Sequence, residues 1–397
     1  MYRKFSAANI FTGYEILNRD FVLITSAEGV IIDLIHKENA GDGIEYSDGL
    51  ICPGFINTHC HVELSHLKNA IATGTGLVQF VQEVMSKRVL LEEYKLEAMQ
   101  NAVQEMDACG IVAVGDICNT ADALIVKQKT NLRWHNFIEV SGFVDKTAAQ
   151  RLEAAKIVAD TYKQFYTGTS LSPHAPYSVS ANLFSLLNIE TAQQIISIHN
   201  QECAAENELY FSKTGGFLDL FKNFGIDITS FQATGKTSLQ SWLPHFNKNQ
   251  SIISVHNSFT SEEDFNFIKQ QTVTNDNTKL PLLNFCLCIN ANKYIEQKIP
   301  PIDLLINNNC RITLGTDSYA SNWQLNILEE IKALQLATNY AVPLTEILQW
   351  ATINGARALK MDNELGSFDK GKKPGIVLIN NLKELNTTAS SKAIKIL

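Results

Sequence analysis

The chain has 397 residues, 45% of them hydrophobic, enough to bury a core larger than one small domain needs, and this composition argues against disorder. Its formal charge of −8, from 33 basic and 41 acidic residues without long runs, excludes a basic face for nucleic acid or an anionic membrane and leaves a small diffusible molecule as the expected partner. The opening MYRKFSAANIFTGYEIL lacks the apolar core of a signal peptide and no later stretch is long enough to span a bilayer, so a cytoplasmic protein is expected.

Residues 1–50, with KFSAANIFTGYEIL and FVLITSAEGVIIDLI, carry short strands and turn residues but no helical period. From 51 onward, short apolar or β-branched runs recur at ICPGFI (51–56), IVAVGD (111–116), WHNFIEV (134–140), TSLSP (169–173), IISI (195–198), IISV (252–255), LPLLNF (280–285) and RITLGT (311–316). Helical spacing fills the gaps, for example over 76–94, over 96–110 closed by Gly110, and over 327–340. Strand alternating with helix eight times predicts an α/β fold with a (β/α)8 barrel over 51–363. Residues 364–397, with GSFDKGKKPGIVLINN, return to short strands, and 1–50 and 364–397 together suit a small β-module beside the barrel. The eight cysteines are scattered and form no C-x-x-C pair, which argues against a disulfide framework or a zinc knuckle; Cys286 and Cys288 alternate as buried thiols on one strand face.

A parallel barrel works at the C-terminal ends of its strands. There the sequence places His59 and His61 after the first run, His174 after the fourth, His199 and Glu202 after the fifth, His256 after the sixth and Asp317 after the eighth. His59 and His61, two apart on an extended strand, point to one side. Alone an H-x-H pair is weak evidence. With His199 and Asp317 at equivalent depth it becomes three nitrogens and one carboxylate, a set suited to Zn2+ with room for water. Such an ion would lower the pKa of a bound water to about 7. Asp317 can both ligate and accept the attacking water's proton. Glu202 suits a proton shuttle or, more blandly, a helix-start acid favoured by the dipole. His256 orients the water, stabilises developing negative charge, or serves as a fifth ligand. His174, stiffened by two prolines in SPHAPYS, faces a substrate ring or hydroxyl, or else caps and packs. Of Glu63 and His66, one is expected to orient a neighbouring histidine and the other to lie on the surface. His36, His135 and His245 are assigned structure only.

With those residues in place the chain resembles the amidohydrolase superfamily, in particular hydrolytic deaminases of aminopurines and their nucleosides. The likeness runs from the strand-rich N-terminus through PGFINTHCHVELSHLK, SPHAPYSVS, SIHNQE, SVHNSFTSEE and LGTDSYASN to GSFDKGKKPG. The resemblance implies a distorted (β/α)8 TIM barrel with a β-sandwich from both termini. It also implies one divalent ion, Zn2+ or alternatively Fe2+, on His59, His61, His199 and Asp317. Glu202 is then the shuttle, His256 the partner of the attacking water and His174 the substrate contact. No lysine stands where a carboxylated bridge between two metals would be needed. In NFCLCINANKYIE, Ile289 and Ala291 replace the proline and serine of a C-P-x-S-N stretch found in many relatives. Gln79 and Phe80 stand near where some relatives carry a tryptophan and an acid that hold ribose hydroxyls; Phe80 and Arg88 are the candidate substrate contacts there.

The expected activity is hydrolytic deamination of an aminopurine or related heteroaromatic amine. The H-x-x-E element favours this, because a ring nitrogen must gain a proton. The alternatives are a cyclic amidase or other C–N hydrolase of the same superfamily, and a catalytically dead scaffold. Substrate identity and oligomeric state are not encoded in any of these motifs.

Overall fold

The structure is a computed structural model that describes residues 2–89, 92–272 and 280–397. Five strands come first, β1 (Tyr2–Phe11), β2 (Ile16–Asn18), β3 (Phe21–Ser26), β4 (Ile31–His36) and β5 (Ile44–Pro53). Eight more follow at the intervals the apolar runs predict: β6 (Phe55–Cys60), β7 (Ile111–Cys118), β8 (Arg133–Val140), β9 (Thr169–Pro173), β10 (Ile195–Asn200), β11 (Ser251–His256), β12 (Leu282–Leu287) and β13 (Arg311–Leu314). The last two are β14 (Ile376–Asn380) and β15 (Lys392–Lys395).

The terminal strands form one seven-stranded sheet in the order β15-β14-β5-β1-β3-β4, with β2 on β1. Both ends of the chain therefore build the module beside the barrel. Its buried residues, among them Phe5, Ile10, Leu23, Ile31, Ile51, Phe368 and Ile376, are drawn from both ends as well. The run at 51–56 is divided. Ile51–Pro53 end β5, paired antiparallel with β14 (Cys52 opposite Val377), and Phe55 opens β6. Gly54 makes the crossing: its N–H donates to Pro374 O at 3.0 Å, and an added Cβ would meet Val112 Cγ1 at 2.3 Å. Only glycine lets the two strands turn this closely past the barrel wall.

The eight central strands pair in parallel as two four-stranded sheets, β6-β7-β8-β9 and β10-β11-β12-β13. Burial on both faces explains why they read as unbroken apolar runs. The two seams are joined near the carboxyl ends of the strands. His199 N donates to His174 O at 2.9 Å between β10 and β9; Thr316 N and Asp317 N both donate to His59 O at 3.1 Å, closing the turn after β13 onto β6. Three of the four candidate ligands thus take part in sealing the barrel. The predicted helix over 76–94 is two helices, α1 (Leu77–Lys87) and α2 (Glu92–Ala108), with residues 90 and 91 outside the described part; α2 also covers most of the 96–110 prediction, and the one over 327–340 forms at Ile327–Ala337. Among the described residues no helix is long and apolar enough to cross a membrane.

Candidate active site

At the carboxyl ends of the strands, ligand atoms of His59, His61, His199 and Asp317 all lie within 4.8 Å of one another. His61 Nε2 is 3.2 Å from His59 Nε2 and 3.1 Å from His199 Nε2. Asp317 Oδ1 is 3.3 Å from His61 Nε2 and 3.5 Å from His59 Nε2. A tetrahedral ion with ligands near 2.0–2.1 Å holds them about 3.3 Å apart, so this spacing is what a zinc-sized cation demands. The proton placement agrees. His199 Nδ1 lies 2.7 Å from His174 O, so it carries the hydrogen and leaves Nε2 bare. Three imidazole nitrogens this close cannot satisfy each other; a shared cation can. The donor set fits a divalent metal.

Asp317 and the backbone beside His61 are held from behind. Asp317 turns its Oδ2 to Ser321 Oγ at 2.5 Å, freeing Oδ1 for the cluster. It sits at φ 57°, and His256 at φ 72°, left-handed backbone that is uncommon outside glycine although aspartate and histidine tolerate it better than most, so the loops hold both in place. Val62 N, next to His61, donates at 2.8 Å to Asp116 Oδ1, and Asp116 is ion-paired at 2.5 Å to Lys127, both fully buried. Burial works against the Lys127 ammonium, but the Asp116 charge outweighs it and raises the pKa.

The electrostatics sort the groups into roles. Burial lowers the His61 and His199 imidazoles, and takes His256 down to about 3, so all three are neutral at pH 7. Burial by itself would raise the Asp317 carboxyl; hydrogen bonding to His59 and the neighbouring imidazoles hold it well below the usual range. Glu202 goes the other way. Burial, followed by the charges of Asp317, Glu206 and Glu296, raises it well above a normal carboxyl, so it holds a proton more readily than an exposed acid. Its Oε1 is 3.5 Å from His256 Nε2. His256 Nδ1 accepts from Asn292 Nδ2 at 3.2 Å, which puts the imidazole hydrogen on Nε2.

His174 joins the site: its ring is 4.9 Å from that of His199, and its Nδ1 is 2.6 Å from Ser178 Oγ. Phe80 is buried in an apolar group with Ala175, Tyr177, Phe217, Tyr294 and Ala320. Arg88 is not brought to the ligands. It ends α1 with Nη1 3.7 Å from Met85 Sδ on the exposed side, and Gln79 pairs outward with Glu83. The Glu63 carboxylate accepts from Asn119 N and Thr120 N rather than from a histidine, and buries there with its pKa raised to about 7. His66 is half-buried with Nδ1 3.1 Å from Glu63 O. His36, His135 and His245 lie elsewhere, beside Phe21, Ser170 and Phe184 respectively. Cys286 and Cys288 are buried with sulfurs 4.0 Å apart. Ile289 and Ala291 are buried too, while Asn292, the asparagine of that stretch, does the polar work at His256. Sequence reasoning missed Asn292, Ser321, Asp116 and Glu139. The signal for Glu139 was present: one carboxylate inside the apolar run 134–140.

A barrel of parallel strands that gathers three histidines and an aspartate at its carboxyl ends, able to hold a divalent ion, defines the class of metal-dependent hydrolases. The family scan agrees: the model of the amidohydrolase family matches residues 50–396. The chain belongs to the amidohydrolase family. It is 27% identical over 362 residues to 5-methylthioadenosine/S-adenosylhomocysteine deaminase of Thermoanaerobacter pseudethanolicus, covering 85% of this chain and 74% of the relative. In fold it is similar to the crystal structure of Helicobacter pylori aminofutalosine deaminase (TM-score 0.81, 20% identity, 100% of this chain and 98% of the other). It is likewise similar to an adenosine deaminase from Xanthomonas campestris with bound zinc (TM-score 0.71, 20% identity, 98% and 86%).

Proposed function

We propose that the protein is a metal-dependent hydrolytic deaminase that replaces an amino group on an adenine-like heteroaromatic ring by oxygen and releases ammonia, with Zn2+ on His59, His61, His199 and Asp317. The observation that carries this reading is the buried Glu202 carboxyl 3.5 Å from His256 Nε2, beside the cluster of His59, His61, His199 and Asp317. A hydrolase of unactivated amides needs an acid for a leaving nitrogen; a deaminase needs one first for a ring nitrogen, and Glu202, its pKa raised by burial, suits that proton. The bound ion supplies acidification of the attacking water and polarisation of the carbon it attacks.

The chain's own groups do the rest. Glu202 donates its carboxyl proton to the ring nitrogen as the water adds at the amino-bearing carbon. Asp317, held anionic, takes a proton from that water at a carboxylate oxygen. His256 points Nε2–H at the incoming oxygen and fixes its approach. Asp317 passes the proton it took to the amino nitrogen, which leaves as ammonia, and the hydroxyl's remaining proton returns to the Glu202 carboxylate as the carbonyl forms. His174 meets the ring from the β9 side, and Phe80, Tyr177 and Phe217 give it an apolar wall that keeps out bulk water. Similarity to named adenosine-type deaminases supports the same class of substrate. We place the protein in the cytoplasm, and read residues 1–50 and 364–397 as one module serving a barrel of 51–363, although β5 runs across the first of those boundaries. The test is ammonia release from a panel of aminopurines, aminopyrimidines and pterins by the zinc-loaded protein. Silence across the panel with one ion bound per chain sinks the reading.

A further inference from the structure

Glu139 sits one residue from the end of β8, and its side chain is nine-tenths buried, 9% exposed. Its Oε1 has no hydrogen-bond partner. His174 Nε2 lies 3.6 Å from it, within ion-pair reach when that imidazole is protonated but too long for a hydrogen bond. A buried carboxylate oxygen left bare costs more than a typical hydrogen bond contributes, so a fold keeps one where something else completes it. The position says what. Ligand atoms of Glu139, His174 and His199 all lie within 4.8 Å of one another, so Glu139 reaches the depth of the metal ligands and not merely the rim. A group filling the space beside it lies next to His174 and His199, on the flank of the ligand cluster.

The surroundings specify the chemistry of the missing partner. Among the described residues the basic group facing Glu139 is His174, 3.6 Å away and too far to hydrogen-bond, so a substrate group that donates a hydrogen to Oε1 would complete it. Glu202 already serves as donor to a ring nitrogen, so the ring meets a donor on one edge and an acceptor on another.

Resting on the deaminase reading, we propose that Glu139 is a substrate-binding residue whose Oε1 accepts a hydrogen bond from a second N–H donor on the heteroaromatic ring, selecting diamino or oxo-amino rings over those with a single amino group. The experiment is calorimetric binding of 9-methyl-2,6-diaminopurine and 9-methyladenine, which differ by one amino group, to the zinc-loaded full chain and to its Glu139→Gln and Glu139→Ala forms. The unaltered protein is expected to bind the diamine at least tenfold more tightly. That preference falls tenfold or more in Glu139→Ala and partway in the isosteric Glu139→Gln, with zinc still at one per chain in all three. Equal affinities in the unaltered protein, an unchanged ratio in Glu139→Ala, or zinc lost from both variants overturns the assignment. Ammonia release, followed separately, tells the two readings apart. A Glu139-dependent preference without ammonia removes the deaminase and leaves the binding role, whereas ammonia without any preference does the reverse.

Discussion

His256 Nε2 stands 3.5 Å from Glu202 Oε1, the two side chains almost wholly buried and neither in a close hydrogen bond to the other. That gap, beside the ligand cluster, suits an oxygen that both groups can reach. Glu202→Gln keeps the shape and removes the transferable proton. The expected outcome is unchanged metal content with kcat lower by roughly 10^3-fold, the scale of a positioned acid–base group. For the unaltered enzyme, the raised Glu202 pKa means activity falls as pH rises through that value, where the acid loses its proton, and not at the pH where an ordinary carboxyl titrates. Kinetics with metal analysis decide it; near-normal turnover in Glu202→Gln removes this residue from the chemistry.

Asn292 acts on the same pair from the other side. Its Nδ2–H, 3.2 Å from His256 Nδ1, holds that nitrogen bare and so keeps the hydrogen on Nε2. In Asn292→Leu the imidazole is free to take either tautomer. Turnover is expected to drop about 10- to 100-fold with KM and metal content little changed, as a positioning role predicts. A comparable loss of zinc would instead mark Asn292 as a prop for the ligands.

The ligands were legible in the sequence because the strand period projects His59 and His61 to one side and because His199 and Asp317 end strands of the same barrel. What stayed hidden depends on neighbours far apart in the chain. The left-handed backbone at His256 and Asp317 falls on residue types that tolerate it, but only the packed loops impose it there. Asn292 and Ser321 matter only through His256 and Asp317, and Glu139 lies inside a strand, whereas the search for working residues looked past strand ends. The run 51–56 read as one strand because its residues are uniformly apolar; the close packing at Gly54 divides it between two sheets.

Metal removal tests the cluster as a unit. Three imidazole nitrogens within 3.1–3.2 Å along His59–His61–His199, beside a carboxylate oxygen, form an arrangement that the ion stabilises and that its absence leaves strained by facing lone pairs. Binding to the folded state alone adds RT ln(1 + [L]/Kd), about 4 kcal/mol at a thousandfold excess over Kd. Chelation is therefore expected to lower Tm by several degrees and abolish activity, with both restored by Zn2+. His199→Ala should show the low Tm from the start and not respond to added zinc. If chelator leaves Tm unmoved while stripping the ion, the site contributes nothing to the fold.

Glu206 gives a pH dependence of stability separable from catalysis. It is fully buried; Oε1 accepts from Gln201 N at 2.8 Å and Ser238 Oγ at 2.5 Å, while Oε2 has no partner. Burial raises its pKa from the ordinary 4.5 to about 7. The folded state therefore holds a proton that the unfolded chain releases, so the contribution is full below about 4.5, is lost as pH rises to about 7, and stays flat above that. The lost share is on the order of 3 kcal/mol, from about 1.4 kcal/mol for each unit of pKa. Glu63 and Glu330, likewise raised to about 7, add slopes of the same sign. Glu206→Gln places an uncharged amide where the protonated acid stood and should flatten part of that fall. Urea unfolding at pH 5, 6, 7 and 8, with metal content held constant, is expected to give curves that converge at pH 5 and separate in favour of the variant by pH 8. Parallel curves at every pH would show that Glu206 keeps the same protonation in both states.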